Sequence, residues 1–166
     1  MAKLKSLQVI HEAVDEKVGA LAVIHGERLK CSKGCHDCCQ DDLSIFEVEA
    51  ARIQNKHSFL LEHGQPHPAG KCAFLDQEGA CRIYSSRPYV CRTQGLPLRW
   101  IVDSYEYRDI CPLNDEGDPI EDIGEELCWT LGEFEGKLAQ LQGDLKRVRL
   151  RDLFSGPARA PKPADR

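Results

Sequence analysis

No stretch of this 166-residue chain approaches the roughly 18 to 20 consecutive apolar residues that cross a bilayer. Its opening, Met1-Ala-Lys-Leu-Lys-Ser-Leu-Gln-Val-Ile-His11, carries lysines but lacks the apolar core of roughly 7 to 15 residues found in secretory signals. These two absences predict a soluble, cytoplasmic protein with no membrane partner. An excess of positive charge is missing too: 22 basic against 27 acidic residues give a formal charge of −5, which offers no general attraction for nucleic acid or anionic lipid. The chain also lacks the glycine-rich strand–turn–helix fingerprint of a nucleotide site, and no repeat or linker divides it. One domain over residues 1–155, followed by a disordered tail over 156–166, is the expectation.

Cysteine, by contrast, is abundant. Four of the nine fall within nine residues, at Cys31, Cys35, Cys38 and Cys39, and five follow at Cys72, Cys81, Cys91, Cys111 and Cys128. In a reducing compartment, clustered thiols serve as metal ligands or redox catalysts rather than as disulfides. The spacing Cys31-x-x-x-Cys35-x-x-Cys38 lets three thiolates of one short loop converge on a single centre, which suits an iron–sulfur cluster or zinc. Cys39 adjoins Cys38, and neighbouring side chains of an extended segment point to opposite sides. Cys39 therefore needs a tight turn to share that centre; otherwise it serves a second one or is a buried thiol. Four thiolates around zinc, or around an oxidised cluster of four irons and four sulfurs, leave about two negative charges per site.

Around these thiols the sequence predicts a mainly α fold with irregular, metal-stabilised loops and a small β-hairpin, in which long N- and C-terminal helices flank a cysteine-rich centre. Leu4, Leu7, Ile10, Val14, Val18 and Leu21 recur at helical spacing and predict a helix over 3–29. Ser44-Ile45-Phe46-Glu47 reads as a capping box opening a second helix to about Glu62. Residues 63–119 hold six of the nine prolines and few aliphatic side chains, so burial there offsets little of the ordering entropy. Metal ligation at Cys72 and Cys81 supplies what burial cannot. Leu98–Val102 and Tyr105–Ile110, joined across Asp103-Ser104, read as a hairpin. Leu127, Leu131, Phe134, Leu138, Leu141, Leu145 and Val148 alternate steps of four and three and predict a long helix over 121–151 carrying Cys128 as a core thiol.

Other side chains near the thiols have weaker claims. Arg82, Arg87 and Arg92 recur beside Cys81 and Cys91; they read either as donors that neutralise a thiolate centre or as a solvated basic strip. His36 lies inside the cysteine loop and reads as a surface or hydrogen-bonding residue, while His63-Gly-Gln-Pro-His67 offers two nitrogens but no third ligand. Cys35-His-Asp-Cys38 is also a possible redox dithiol, without the strand–helix context that usually accompanies one.

The local strings are more specific than the spacing. Cys31-x-x-x-Cys35-x-x-Cys38-Cys39, then Cys72-Ala-Phe-Leu, then Cys81-Arg-Ile-Tyr-Ser-Ser-Arg-Pro-Tyr-Val-Cys91-Arg, and finally Cys111-Pro together resemble the YkgJ-type cysteine-cluster family of zinc- or iron-chelating proteins. The resemblance covers about half the chain. It implies metal binding through Cys31, Cys35, Cys38, Cys39, Cys72, Cys81, Cys91 and Cys111, with Cys128 outside the pattern. A similar cysteine segment occurs in bacterial flagellin lysine methylases, but this short chain lacks a nucleotide fingerprint and the activity is not carried over. The first three-cysteine spacing also occurs in radical S-adenosylmethionine enzymes, whose barrel of strand–helix repeats has no counterpart here.

Three functions fit this sequence. The first is a small metalloprotein holding an iron–sulfur cluster, expected as the four-iron four-sulfur type, or zinc. The second is a metal-dependent enzyme, methylase-like or redox, whose centre keeps an open coordination position. The third is a metal or thiol buffer and chaperone with exchangeable ligands. Neither catalytic residues nor a partner protein can be named from the sequence.

Overall fold

A computed structural model describes residues 2–32 and 34–154. The expected tail over 156–166 lies outside the described residues.

Helix α1, Ala2–Ile24, is the long N-terminal helix expected from its apolar stripe. It buries Leu7, His11, Val14 and Leu21 along one face. Its regular part ends five residues before the expected limit: Gly26 lies in a turn in which Arg28 and Leu29 donate backbone N–H groups to the His25 carbonyl. Glycine costs about 1 kcal/mol relative to alanine in a helix interior, so the stop is inexpensive.

Ser44–Phe46 forms strand β1 rather than a capping box, and α2 runs Glu47–Lys56. The carboxylate that reaches back is Glu49, whose Oε2 accepts the Phe46 N–H at 3.4 Å. After a break at His57, α3 covers Ser58–His63. A short helix α4, Tyr89–Arg92, carries Cys91. The hairpin lies where its aromatic and β-branched residues predict, as β2, Leu98–Val102, and β3, Tyr105–Asp109. Asp103 and Ser104 take φ values of 48° and 67°, the left-handed pair a tight two-residue hairpin turn requires.

The long C-terminal helix is not formed. Single helical turns at Ile120–Asp122 and Glu125–Leu127 lead to strand β4, Trp129–Thr130. Helix α5 covers only Glu133–Gln142, and strand β5, Arg147–Arg149, follows. Two glycines set these limits: Gly132 and Gly143 sit at φ 109° and 105°, where a right-handed helix cannot pass. The regular apolar seam therefore spans three elements. Its members Phe134 and Leu138 are buried, whereas Leu145 is 80 % exposed. Cys128 accordingly precedes a strand instead of lying on a helix, although it is a buried core thiol as expected.

Two small sheets result: β1 pairs antiparallel with β5, and β4 adds parallel to β2 in the order β3-β2-β4. Two cores lie beneath them. One joins Leu7, Val14 and Leu21 of α1 to Phe46, Tyr89, Trp129, Phe134 and Leu138. The other gathers Ile45, Ile53, Phe74, Leu75, Ile83, Leu150 and the thiol-bearing Cys72. The second core forms one wall of the cysteine-rich region.

Candidate metal centre

All nine cysteines are free thiols. The first four lie in a loop of two successive turns, closed by the Cys35 N–H donating to the Ser32 carbonyl at 3.0 Å and the Cys39 N–H to the His36 carbonyl at 2.9 Å. Such turns let the chain wrap instead of extending, which brings Cys38 and Cys39 to the same side.

The next thiols are tied to this loop through the backbone. The Cys72 N–H donates to the Cys39 carbonyl at 2.9 Å. Between Cys72 and Cys81 the chain folds back in a tight turn in which Asp76 Oδ1 accepts the N–H groups of Glu78 and Ala80, and Leu75 bridges Cys81 in antiparallel fashion. Arg151 fastens the approach to Cys72: its guanidinium donates to the carbonyls of His67 and Lys71, each at 2.9 Å, and it pairs with Asp41. Cys91 follows on α4, opened by Pro88.

These segments enclose a cavity of about 620 Å³ lined by seven of the eight expected ligands: Cys31, Cys35, Cys38, Cys39, Cys72, Cys81 and Cys91. Cys111 stands apart, just before a helical turn over Pro112–Asn114, and is joined to the group through Asn114. That asparagine, fully buried, donates its own N–H to the Cys111 carbonyl at 2.7 Å and its Nδ2 to Cys31 Sγ at 3.4 Å and the Gly95 carbonyl at 2.8 Å. Gly95 is required here: a Cβ on it would stand 2.6 Å from Cys31 Sγ.

The thiols differ electrostatically. A hydrogen bond from the Cys39 thiol draws Cys38 down to about 6, and the same shared proton pushes Cys39 up. Burial raises Cys72, Cys81, Cys91 and Cys111. Among the described residues, no group of three or more Cys, His, Asp or Glu side chains is already arranged to hold a metal ion. The thiols instead surround a shared space, and side-chain rotation would have to complete ligation.

Of the three arginines, Arg87 lines the cavity. Its Nε is buried without a hydrogen-bond partner among the described residues, and its charge acts favourably on the thiolates of Cys38 and Cys81. Arg92 is a structural residue, paired with Asp15 at 2.5 Å and donating to the Arg87 carbonyl. Arg82 ties the Cys72 segment through the Ala73 carbonyl at 2.7 Å. His36 bonds the Gly34 carbonyl, and His63 stacks on Phe59. Cys128 lies beside Arg108, 3.9 Å from its Nη1, among residues that do not line the cavity.

A set of clustered thiols is the donor chemistry of zinc and of iron–sulfur clusters. Arg87 brings a positive charge to the thiol-lined cavity. The arrangement thus fits a thiolate-held centre. Asn114, Gly95, Arg151 and Glu49, whose Oε1 accepts the Tyr89 N–H at the start of α4 at 2.7 Å, also position the site, and reading the sequence did not single them out. Only Asn114 had a local signal, as the fourth residue of Cys111-Pro-Leu-Asn.

No curated protein and no solved structure matches the chain. A family profile does match, over residues 30–112, half of the chain, and spans every cavity-lining cysteine and Cys111. The chain belongs to the CxxCxxCC family, described as a putative zinc- or iron-chelating domain.

Proposed function

We propose that this protein is a small cytoplasmic metalloprotein that holds an iron–sulfur cluster or zinc through Cys31, Cys35, Cys38, Cys39, Cys72, Cys81, Cys91 and Cys111. Convergence carries the reading: seven of these thiols, drawn from three separate segments, face one cavity, and Asn114 ties the eighth to Cys31. A bound centre would supply folding free energy and, if it is a cluster, electron transfer.

The chain's own residues prepare the site. Backbone bonds gather the thiols, Arg87 offsets the negative charge their deprotonation creates, and Leu43, Phe74, Ile83 and Leu150 form an apolar wall that limits water. The exposed position of Cys31 favours a second reading, a metal buffer whose outermost ligand exchanges.

Serine replacement at Cys35, Cys38, Cys81 or Cys91 is expected to lower bound metal and raise protease cleavage within residues 63–120. Cys128→Ser is expected to do neither. Metal analysis and limited proteolysis of each variant test the assignment, and wild-type metal content in all four would refute it.

A further inference from the structure

We infer that the eight thiols form two adjoining metal sites: an inner one of Cys39, Cys72, Cys81 and Cys91, and a rim one of Cys31, Cys35, Cys38 and Cys111, which meet at the Cys38–Cys39 peptide. The inference rests on the metal-binding reading above and adds how the ligands are grouped and what each group does.

The inner four share one structural frame. Cys72 donates its N–H to the Cys39 carbonyl at 2.9 Å. The Leu75–Cys81 bridge, with the Arg82 N–H donating to the Phe74 carbonyl at 2.9 Å, sets Cys81 across from the same segment. Cys72 belongs to the second core, and Cys39 and Cys81 pack against it. Cys91 lies near enough to Cys72 and Cys81 for their charges to act on it, and Cys38 acts on it less strongly. Among the described residues, neither Cys91 nor any of the rim four belongs to that core.

The rim four have a frame of their own. Asn114 links the Cys111 carbonyl to Cys31 Sγ, and Gly95 leaves room for that sulfur. Cys111 lies near enough to Cys31, Cys38 and Cys35 to feel their charges, and Cys31 is exposed. Two thiolate-rich sites this close would repel each other. Arg87, which lines the shared cavity, acts favourably on both Cys38 and Cys81, one ligand from each group.

Unequal burial separates their roles. The inner site, built into the core, holds the fold; the rim site, with an exposed ligand, is where metal enters, leaves or reacts. Each site takes one thiophilic centre, zinc or an iron–sulfur cluster.

The test uses the full chain purified without oxygen, with iron, zinc and sulfide counted per chain. In a Cys31→Ser/Cys111→Ser double variant, about half the metal, or the whole of one metal type, is expected to disappear while the helical circular-dichroism signal persists. EDTA is expected to strip the wild type in two phases at least 10-fold apart in rate. Complete metal loss from a folded double variant, full retention by it, or a single release phase in the wild type would overturn the grouping while leaving metal binding intact. A folded wild type that carries no metal would overturn both.

Discussion

Glu49 Oε1 accepts the backbone N–H of Tyr89 at 2.7 Å and so anchors the first residue of the helix that carries Cys91. The carboxylate is 2 % exposed and also accepts from His11 Nε2 at 2.9 Å, while Arg52 donates to His11 Nδ1 at 2.7 Å. Because arginine can only donate, Nδ1 must be the acceptor and Nε2 must carry the proton. A neutral His11 therefore bridges the buried Glu49 carboxylate and the Arg52 guanidinium, whose pKa is lowered chiefly by burial and then by Arg92.

Glu49→Ala leaves His11 Nε2–H and the backbone N–H groups of Tyr89 and Phe46 without their acceptor. Buried donors left unsatisfied cost about 1–3 kcal/mol each, so a combined loss on the order of 3–5 kcal/mol is expected, which lowers thermal unfolding of the metal-loaded protein by roughly 6–20 °C. Glu49→Gln retains an acceptor for one N–H and is expected to lose less. Equal melting temperatures for wild type and Glu49→Ala would remove this anchor from the account.

Asn114→Ala strips hydrogen bonds from the Lys30 N–H, the Gly95 carbonyl and Cys31 Sγ, all near a fully buried side chain. Unsatisfied buried groups cost about 1–3 kcal/mol. The expected outcome is a comparable loss of stability in denaturant titration, together with faster alkylation of Cys31 relative to Cys81. Unchanged labelling of Cys31 would mean that Asn114 does not hold it.

The pH dependence of the metal-free protein follows from the thiols. Burial raises Cys72, Cys81, Cys91 and Cys111 above the ordinary 9.0, so the folded state binds their protons more tightly than the unfolded chain. Their contribution is complete below pH 9 and is lost as pH rises above it. Cys38, drawn down to about 6, acts in the opposite sense: its contribution is present above 9 and fades as pH falls through 6. Metal-free protein is therefore expected to gain stability as pH rises from 6 toward 9 and to lose it again above 9. Metal-loaded protein should instead hold steady above pH 9, since its ligands are already deprotonated, and should shed metal on acidification. Melting curves of both forms from pH 5 to 10.5 check the contrast.

Sequence reading succeeded where the determinants are local. The stripe on α1 and the hairpin across Asp103-Ser104 depend on residues within a few positions of one another, and both form where the pattern places them. The C-terminal stripe misled because spacing alone does not show that Gly132 and Gly143 leave the helical region, or that the Trp129 N–H and Leu131 N–H donate to the carbonyls of Pro97 and Arg99, some 32 residues away. The cysteines identified the site because their chemistry is rare and concentrated. Its supports were hidden for the reverse reason: Glu49 looks like a surface residue of α2 until Tyr89, 40 positions later, is placed against it.

Metal and acid-labile sulfide content, with a visible absorption spectrum, on protein purified without oxygen from cells supplied with iron and zinc, tests the central claim most directly. Iron and sulfide in equal amounts with a brown chromophore, or colourless protein with stoichiometric zinc, is the predicted result. Reduced, folded protein isolated from those cells without iron, sulfide or zinc would contradict it.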